Sequence, residues 1–188
     1  MREQIIRATA KIISKKGPKA ASIRAICSSV GITAPTLYYY FEDRTELLSA
    51  VTLMAFNKNS KFKLVDIKKE DPINLISQTW DDYIEFATNE PELYSVMMSS
   101  QTIGQIPECG RKCFEATIQK FELAEQKELL TIDALEAAFI YQAAAQGVAI
   151  LIIGGLNIEL AKNISKKMKN FILAGLLRRA PLSKIQNR

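Results

Sequence analysis

The spacing of apolar positions predicts helices along almost the whole chain. Over residues 3–16, Ile5, Thr9, Ile12 and Ile13 recur at i, i+4, i+7 and i+8, one face of an amphipathic helix. Gly17 then offers a backbone free to turn away, and Pro18 follows it. Ser22 suits the N-cap of a short helix whose inner face is Ile23, Ile26, Cys27 and Val30, with Gly31 at its end. Thr33 can cap the next, with Ala34 and Pro35 in its first turn, where a missing amide hydrogen costs little. Asp43 opens another, and Glu46 three residues later makes a capping-box-like pair. That helix turns Leu47, Leu48, Val51, Met54 and Ala55 inward and runs to about Phe62.

Beyond it, the polar run VDIKKEDP reads as a connection into a second region. Asp71-Pro72 starts a helix through Trp80, Tyr83 and Phe86 to about Thr88, Pro91 starts a short one, and Pro107 starts another to about Lys127. Thr131 is expected to cap a long apolar helix to about Gly154, and a final helix covers roughly 158–178. Strand-like alternation with turn dipeptides is absent from the sequence, so the expected class is all-α. The expected division is a three-helix N-terminal domain over 1–48, a helical domain over 49–180 and a frayed tail over 181–188.

Charge sharpens this division. Residues 1–48 carry eight Lys or Arg against four acids, residues 49–165 ten against sixteen, and residues 166–188 seven against none. Basic ends around an acidic middle are what one nucleic-acid-facing module joined to another kind of module produces, although basic termini also serve solubility. An odd cysteine count (Cys27, Cys109, Cys113) without a secretory signal is expected of reduced thiols in a cytoplasmic protein.

Three constellations read as structure before chemistry. The 22 uncharged residues between Glu136 and Glu159 are long enough to span a bilayer. Gln142, Gln146 and Asn157 would each be costly in hydrocarbon, so a helix buried by other helices is expected, and no membrane partner. Cys109 and Cys113 sit four apart on an expected helix, but a chain without histidine offers no set of zinc ligands, and no metal or cofactor is expected. Asp81, Asp82 and Glu85 form an acidic face that could attract a cation or a basic ligand, and a solvated helix face is the favoured reading.

Helices of about 14, 8 and 7 residues, the last two joined by GIT, have the shape of a helix-turn-helix with a supporting first helix. In the third, Leu37 and Phe41 share an inner face, while Pro35, Thr36, Tyr38 and Tyr39 point away or sideways. A tyrosine ring can pack on a sugar while its hydroxyl donates to phosphate, and Thr36 and Pro35 lie where a helix N-terminus meets base edges. Tyr40 falls between the two faces.

The segments SIRAICSSVGI and TAPTLYYYFEDRTELL closely resemble the DNA-binding region of the tetracycline-repressor (TetR) family of bacterial transcriptional regulators. The match covers about 45 residues. More loosely, YIEFATNEPELYSVMMS resembles a segment of many members' C-terminal domains, and Gln146-Gly147 stands where many have His-Gly in a Trp-containing helix. The resemblance implies DNA contacts from Ser22, Arg24, Thr33, Pro35, Thr36, Tyr38, Tyr39 and Arg44, the last on a phosphate at the start of the fourth helix. Ala34 offers no hydrogen bond where many members place a polar side chain, which leaves specificity to Arg24, Thr36, apolar contacts and DNA shape.

A seven-residue recognition helix reads few bases, so a homodimer on a palindromic, double-stranded operator is expected. The last two helices, about 131–154 and 158–178, are the expected dimer surface. Ile164, Met168, Phe171, Ile172 and Leu176 form a stripe on the second. The resemblance also implies a cavity for an apolar small-molecule effector. Its candidate lining is Trp80, Tyr83, Tyr94, Met97, Met98, Phe114, Phe121 and Phe139, each of which taken singly is more ordinary as core. The expected function is a transcriptional repressor released from DNA by its ligand. Without histidine, a nucleophile motif or a phosphate-cradling glycine loop, an enzyme is not expected.

Overall fold

The computed structural model describes residues 1–59, 71–102 and 108–178. Among them the regular elements are α1 (Arg2–Lys16), α2 (Ile23–Val30), α3 (Ala34–Tyr40), α4 (Arg44–Asn59), α5 (Pro72–Asn89), α6 (Pro91–Thr102), α7 (Glu108–Gln126), α8 (Ala134–Ile153) and α9 (Ile158–Leu176). A 3₁₀ turn at Pro18–Ala20 follows α1. The all-α expectation holds among these residues, where the sole extended pairing is an isolated antiparallel bridge between Leu130 and Leu177. The residues expected to form the polar connection before Asp71 and the tail after residue 180 lie outside the described residues, as does the side chain of Cys109.

Contacts divide the chain into two compact units, Met1–Phe62 with Glu85–Cys113, and Lys63–Ile84 with Phe114–Arg188, so the division falls within α5 and α7. In the first unit, α1 packs on α2, α4 and α6, and α4 also packs on α6. Its core holds Ile5, Ile6, Ile26, Leu37, Phe41, Leu47, Val51, Phe56 and Leu93. The expected domain boundary after residue 48 falls inside α4, which runs on to Asn59. Arg7 pins α1 to the end of α5 by donating to Glu90 at 3.0 Å as well as to Glu3 at 2.9 Å. Those two carboxylates, Glu90 foremost, raise the guanidinium's pKa further.

The second unit is organised around Tyr141 on α8. Trp80 of α5 and Phe121 of α7 each meet its ring edge-on at 5.4 Å, and its hydroxyl donates to the Ile76 carbonyl at 2.7 Å. Burial pushes the phenol well above its ordinary pKa, and Asp81 and Asp82 act in the same direction. Trp80 is fully enclosed and donates its indole N–H to Ser165 Oγ on α9 at 2.9 Å.

α8 is long and apolar enough to cross a membrane. It packs along α9 and turns Ala134, Ala137, Ala138, Tyr141, Ala145, Val148 and Ala149 inward. Its N-cap is Asp133, whose carboxylate accepts from the Glu136 amide at 2.9 Å, and not Thr131 as expected. Thr131 instead joins the bridge: its amide bonds Leu176 O at 2.9 Å and its hydroxyl donates to Gly175 O. A hydroxyl close before a helix suits a cap by residue type, but the return of α9 offered Thr131 a different carbonyl.

Candidate nucleic-acid interface

The candidate interface is held together by caps. Ser22 Oγ accepts from the Ala25 amide at 3.2 Å and starts α2. Gly31 ends α2 in the left-handed region, at φ 72° and ψ 36°, where a side chain would be strained. Two residues later Thr33 Oγ1 accepts from the Thr36 amide at 3.4 Å and lies 2.9 Å from Thr36 Oγ1. These bonds set where each short helix begins, and propensity alone could not hold helices of eight and seven residues.

Packing then sets the rotation of α3. Leu37 and Phe41 are buried, and the guanidinium of Arg2 lies 4.9 Å from the centre of the Phe41 ring. Tyr38 is 48% exposed and Tyr39 81%. Tyr40 is half-buried, and its ring meets that of Tyr39 edge-on at 5.0 Å. Arg24 and Pro35 are exposed and Thr36 is half-buried. Ser22 and Thr33 already serve as caps, and the Thr36 hydroxyl lies against that of Thr33. The Ser22 cap occupies only an acceptor lone pair, so its O–H remains available to a phosphate.

Arg44 makes two contacts that its sequence context did not suggest. Its Nε donates to Ala21 O at 2.9 Å and its Nη2 to Pro18 O at 2.8 Å, which clamps the turn before α2 to the start of α4. Pro18 O also accepts from the Ala21 amide at 3.3 Å, so the clamp reinforces the 3₁₀ turn between α1 and α2. Five guanidinium N–H bonds leave three after this clamp, so a phosphate contact and the clamp are compatible. At the same helix start, Asp43 Oδ1 accepts from the Glu46 amide at 2.7 Å while the Glu46 carboxylate accepts from the Glu42 amide at 2.6 Å.

The eight candidate effector residues are distributed between the units. Trp80 and Phe121 meet around Tyr141, Tyr83 is buried nearby on α5, and Phe114 and Phe139 pair at 5.0 Å with Phe139 56% exposed. Tyr94 and Met97 are buried and Met98 half-buried in the first unit, where Tyr94 packs on Phe86 at 6.1 Å. Tyr141, Ser165 and the buried Lys120, whose Nζ donates to Thr79 Oγ1 at 2.6 Å, escaped the sequence reading. The aromatic character of Tyr141 was a usable signal, whereas Ser165 and Lys120 matter only through neighbours far away in sequence.

Two short helices at a glycine turn, the second offering hydroxylated aromatics and the first an arginine, form a helix-turn-helix, an arrangement suited to DNA. Residues 5–51 match the family model described as bacterial regulatory proteins, tetR family. Over that span, from α1 into α4, the chain is similar to this family of regulators. No curated protein matches it by sequence. Solved structures do match across nearly its whole length. A TetR family transcription regulator from Marinobacter aquaeolei VT8 is 17% identical, with 95% of this chain and 96% of that one covered and a TM-score of 0.72. A candidate transcriptional regulator from Saccharomonospora viridis, solved with choline, is 15% identical with 95% and 98% covered and a TM-score of 0.66. A protein solved in work on the control of antibiotic production by bacterial hormones is 16% identical with 94% and 97% covered and a TM-score of 0.74. At these identities the likeness is one of fold.

Proposed function

We propose that the chain is a dimeric repressor that binds a two-fold-symmetric DNA operator through α3 and is released by a small apolar ligand. The observation that carries the DNA reading is the division of α3, with Leu37 and Phe41 inward and Tyr38 and Tyr39 outward. Ser22, Arg24 and Arg44 would hold phosphates or a base edge around it, while Thr33, Pro35 and Thr36 approach the bases. The dimer reading is supported by the large apolar side chains that α8 and α9 expose, among them Leu135, Phe139, Leu151, Leu160 and Phe171. The effector would enter the second unit beside Trp80, Tyr83, Phe114 and Phe121. That one structural neighbour was solved with choline fits control by a small molecule. Ligand binding would favour a state in which the two recognition helices no longer match successive major grooves.

Selection of bound DNA from a random pool tests the reading. A palindromic consensus is the expected result. A single non-repeated half-site would overturn the dimer, and failure to enrich any sequence would overturn operator binding.

A further inference from the structure

The second unit carries a groove of about 360 Å³ between α5 and α9, lined by Asp81, Ile84, Lys162, Ser165, Lys166, Lys169 and Asn170. Three of these are lysines at i, i+4 and i+7, so they share one helix face. Against them stands one acid, so the lining carries a formal charge of 3 − 1 = +2. The Lys169 ammonium is already held, donating to both Asp81 oxygens at 2.8 and 2.7 Å and to Ser77 Oγ at 3.2 Å. Lys162 and Lys166 have no ion-pair partner among the described residues.

The floor differs from the rim. Ser165 is 7% exposed, and its oxygen accepts from the Trp80 indole, so its O–H is left to donate. Ile84 and the methylene stems of the lysines supply carbon surface beneath the ammonium groups. A buried hydroxyl, an apolar floor and two uncommitted ammonium groups match a ligand with one anionic head and an apolar body. At about 100° per residue, Leu160 and Phe171 lie on roughly the opposite side of α9 from Lys162 and Lys166. Pairing of two copies through that apolar side would leave the groove open.

We infer that the α5–α9 groove is a binding site for a small amphiphilic anion, a carboxylate or a phosphate monoester, whose head sits between Lys162, Lys166 and the Ser165 hydroxyl. The inference does not rest on DNA binding. The protein also contains its own reporter: Trp80, its one tryptophan, hydrogen-bonds the serine at the floor.

The test is a titration of the intact protein with octanoate, octyl phosphate and octyltrimethylammonium, followed by tryptophan fluorescence. A saturable change with at least one anion is expected, the better of the two identifying the preferred head. In a Lys162→Gln/Lys166→Gln variant with unchanged melting temperature, half-saturation should shift upward by about tenfold. A salt series on the unaltered protein gives a second readout, since binding to ammonium groups weakens with ionic strength and apolar uptake does not. No saturable change with either anion, an unshifted curve in the variant, salt-independent binding, or an equal response to the ammonium amphiphile would each overturn the assignment.

Discussion

α3 and α8 both turn large side chains to solvent, but of different chemistry. α3 exposes Tyr38 and Tyr39, each an apolar ring ending in a hydroxyl, and buries Leu37. α8 buries mostly alanine and exposes Leu135, Phe139, Ile140, Ile150 and Leu151, which carry no polar atom. A tyrosine can meet a surface that stays wet and charged, because its oxygen keeps a partner there. A run of leucine, isoleucine and phenylalanine gains only against a dry surface. On the proposed function, the contrast separates two partner classes, nucleic acid for α3 and a second copy for α8 with α9.

The largest expected effect breaks the dry side. Leu151→Glu or Phe171→Glu would place a carboxylate in the middle of the paired surface with no partner. The dimer dissociation constant should rise at least a thousandfold, about 4 kcal/mol, in sedimentation equilibrium, with helical content unchanged by circular dichroism. Dimers that persist in both variants would show that these faces are not the pairing surface.

The next effect tests whether the wet side depends on its clamp. Arg44→Ala removes two charge-assisted bonds from the carbonyls of Pro18 and Ala21. It should lower stability by about 2 kcal/mol in urea titration, and DNA affinity with it. Arg44→Lys keeps the charge but loses the fork, so stability should fall nearly as far while the slope of affinity against salt is retained. Unchanged stability in the alanine variant would return Arg44 to a purely phosphate-binding role.

Most of the first unit was legible because its instructions are local. Ser22, Gly31, Thr33 and the Asp43–Glu46 pair each act within four residues of their position, and each makes the bond its residue type suggests. The second unit depends on partners far apart in sequence, such as Lys169 with Asp81, 88 residues away, or Arg178 Nε with Leu130 O, 48 away. No periodicity in either segment names the other. Thr131 shows the same limit, since its local signal for a cap was real and a distant carbonyl took the hydroxyl. In α8 the hydrophobic pattern hid the division altogether. Apolar residues lie all round the helix, and only packing shows that the inward face is mostly alanine around Tyr141.

The buried centre of the second unit yields a smaller, pH-dependent effect. Tyr141→Phe loses the bond to Ile76 O and should cost about 1 kcal/mol near neutral pH. Burial holds the folded phenol's pKa well above its ordinary value of 10.0. Above about pH 10 the unfolded chain therefore binds fewer protons than the folded one, and stability falls as pH rises. Below that point both states are protonated, and the contribution of this group is constant. The advantage of the unaltered protein over Tyr141→Phe should accordingly shrink as urea titrations move from pH 9 to pH 11. A difference that stays constant over that range would mean that the phenol titrates alike in both states.

The smallest effect asks whether the hydroxyls that distinguish α3 from α8 matter. Tyr38→Phe leaves the ring, the half-exposed position and the buried Leu37 and Phe41 in place, and removes one oxygen. If that oxygen donates to phosphate, affinity should fall about fourfold, roughly 0.8 kcal/mol, and by the same factor for every sequence tested. Thr36→Ala gives the opposite pattern if Thr36 meets a base, changing the ranking of sequences more than the mean affinity. The two variants must be read together, because Thr36 also touches the Thr33 cap at 2.9 Å and its loss can loosen the start of α3. A Tyr38→Phe protein that binds as well as the original would mean that α3 meets DNA with carbon alone, and the distinction between its outward face and that of α8 would then lie in shape and not in chemistry.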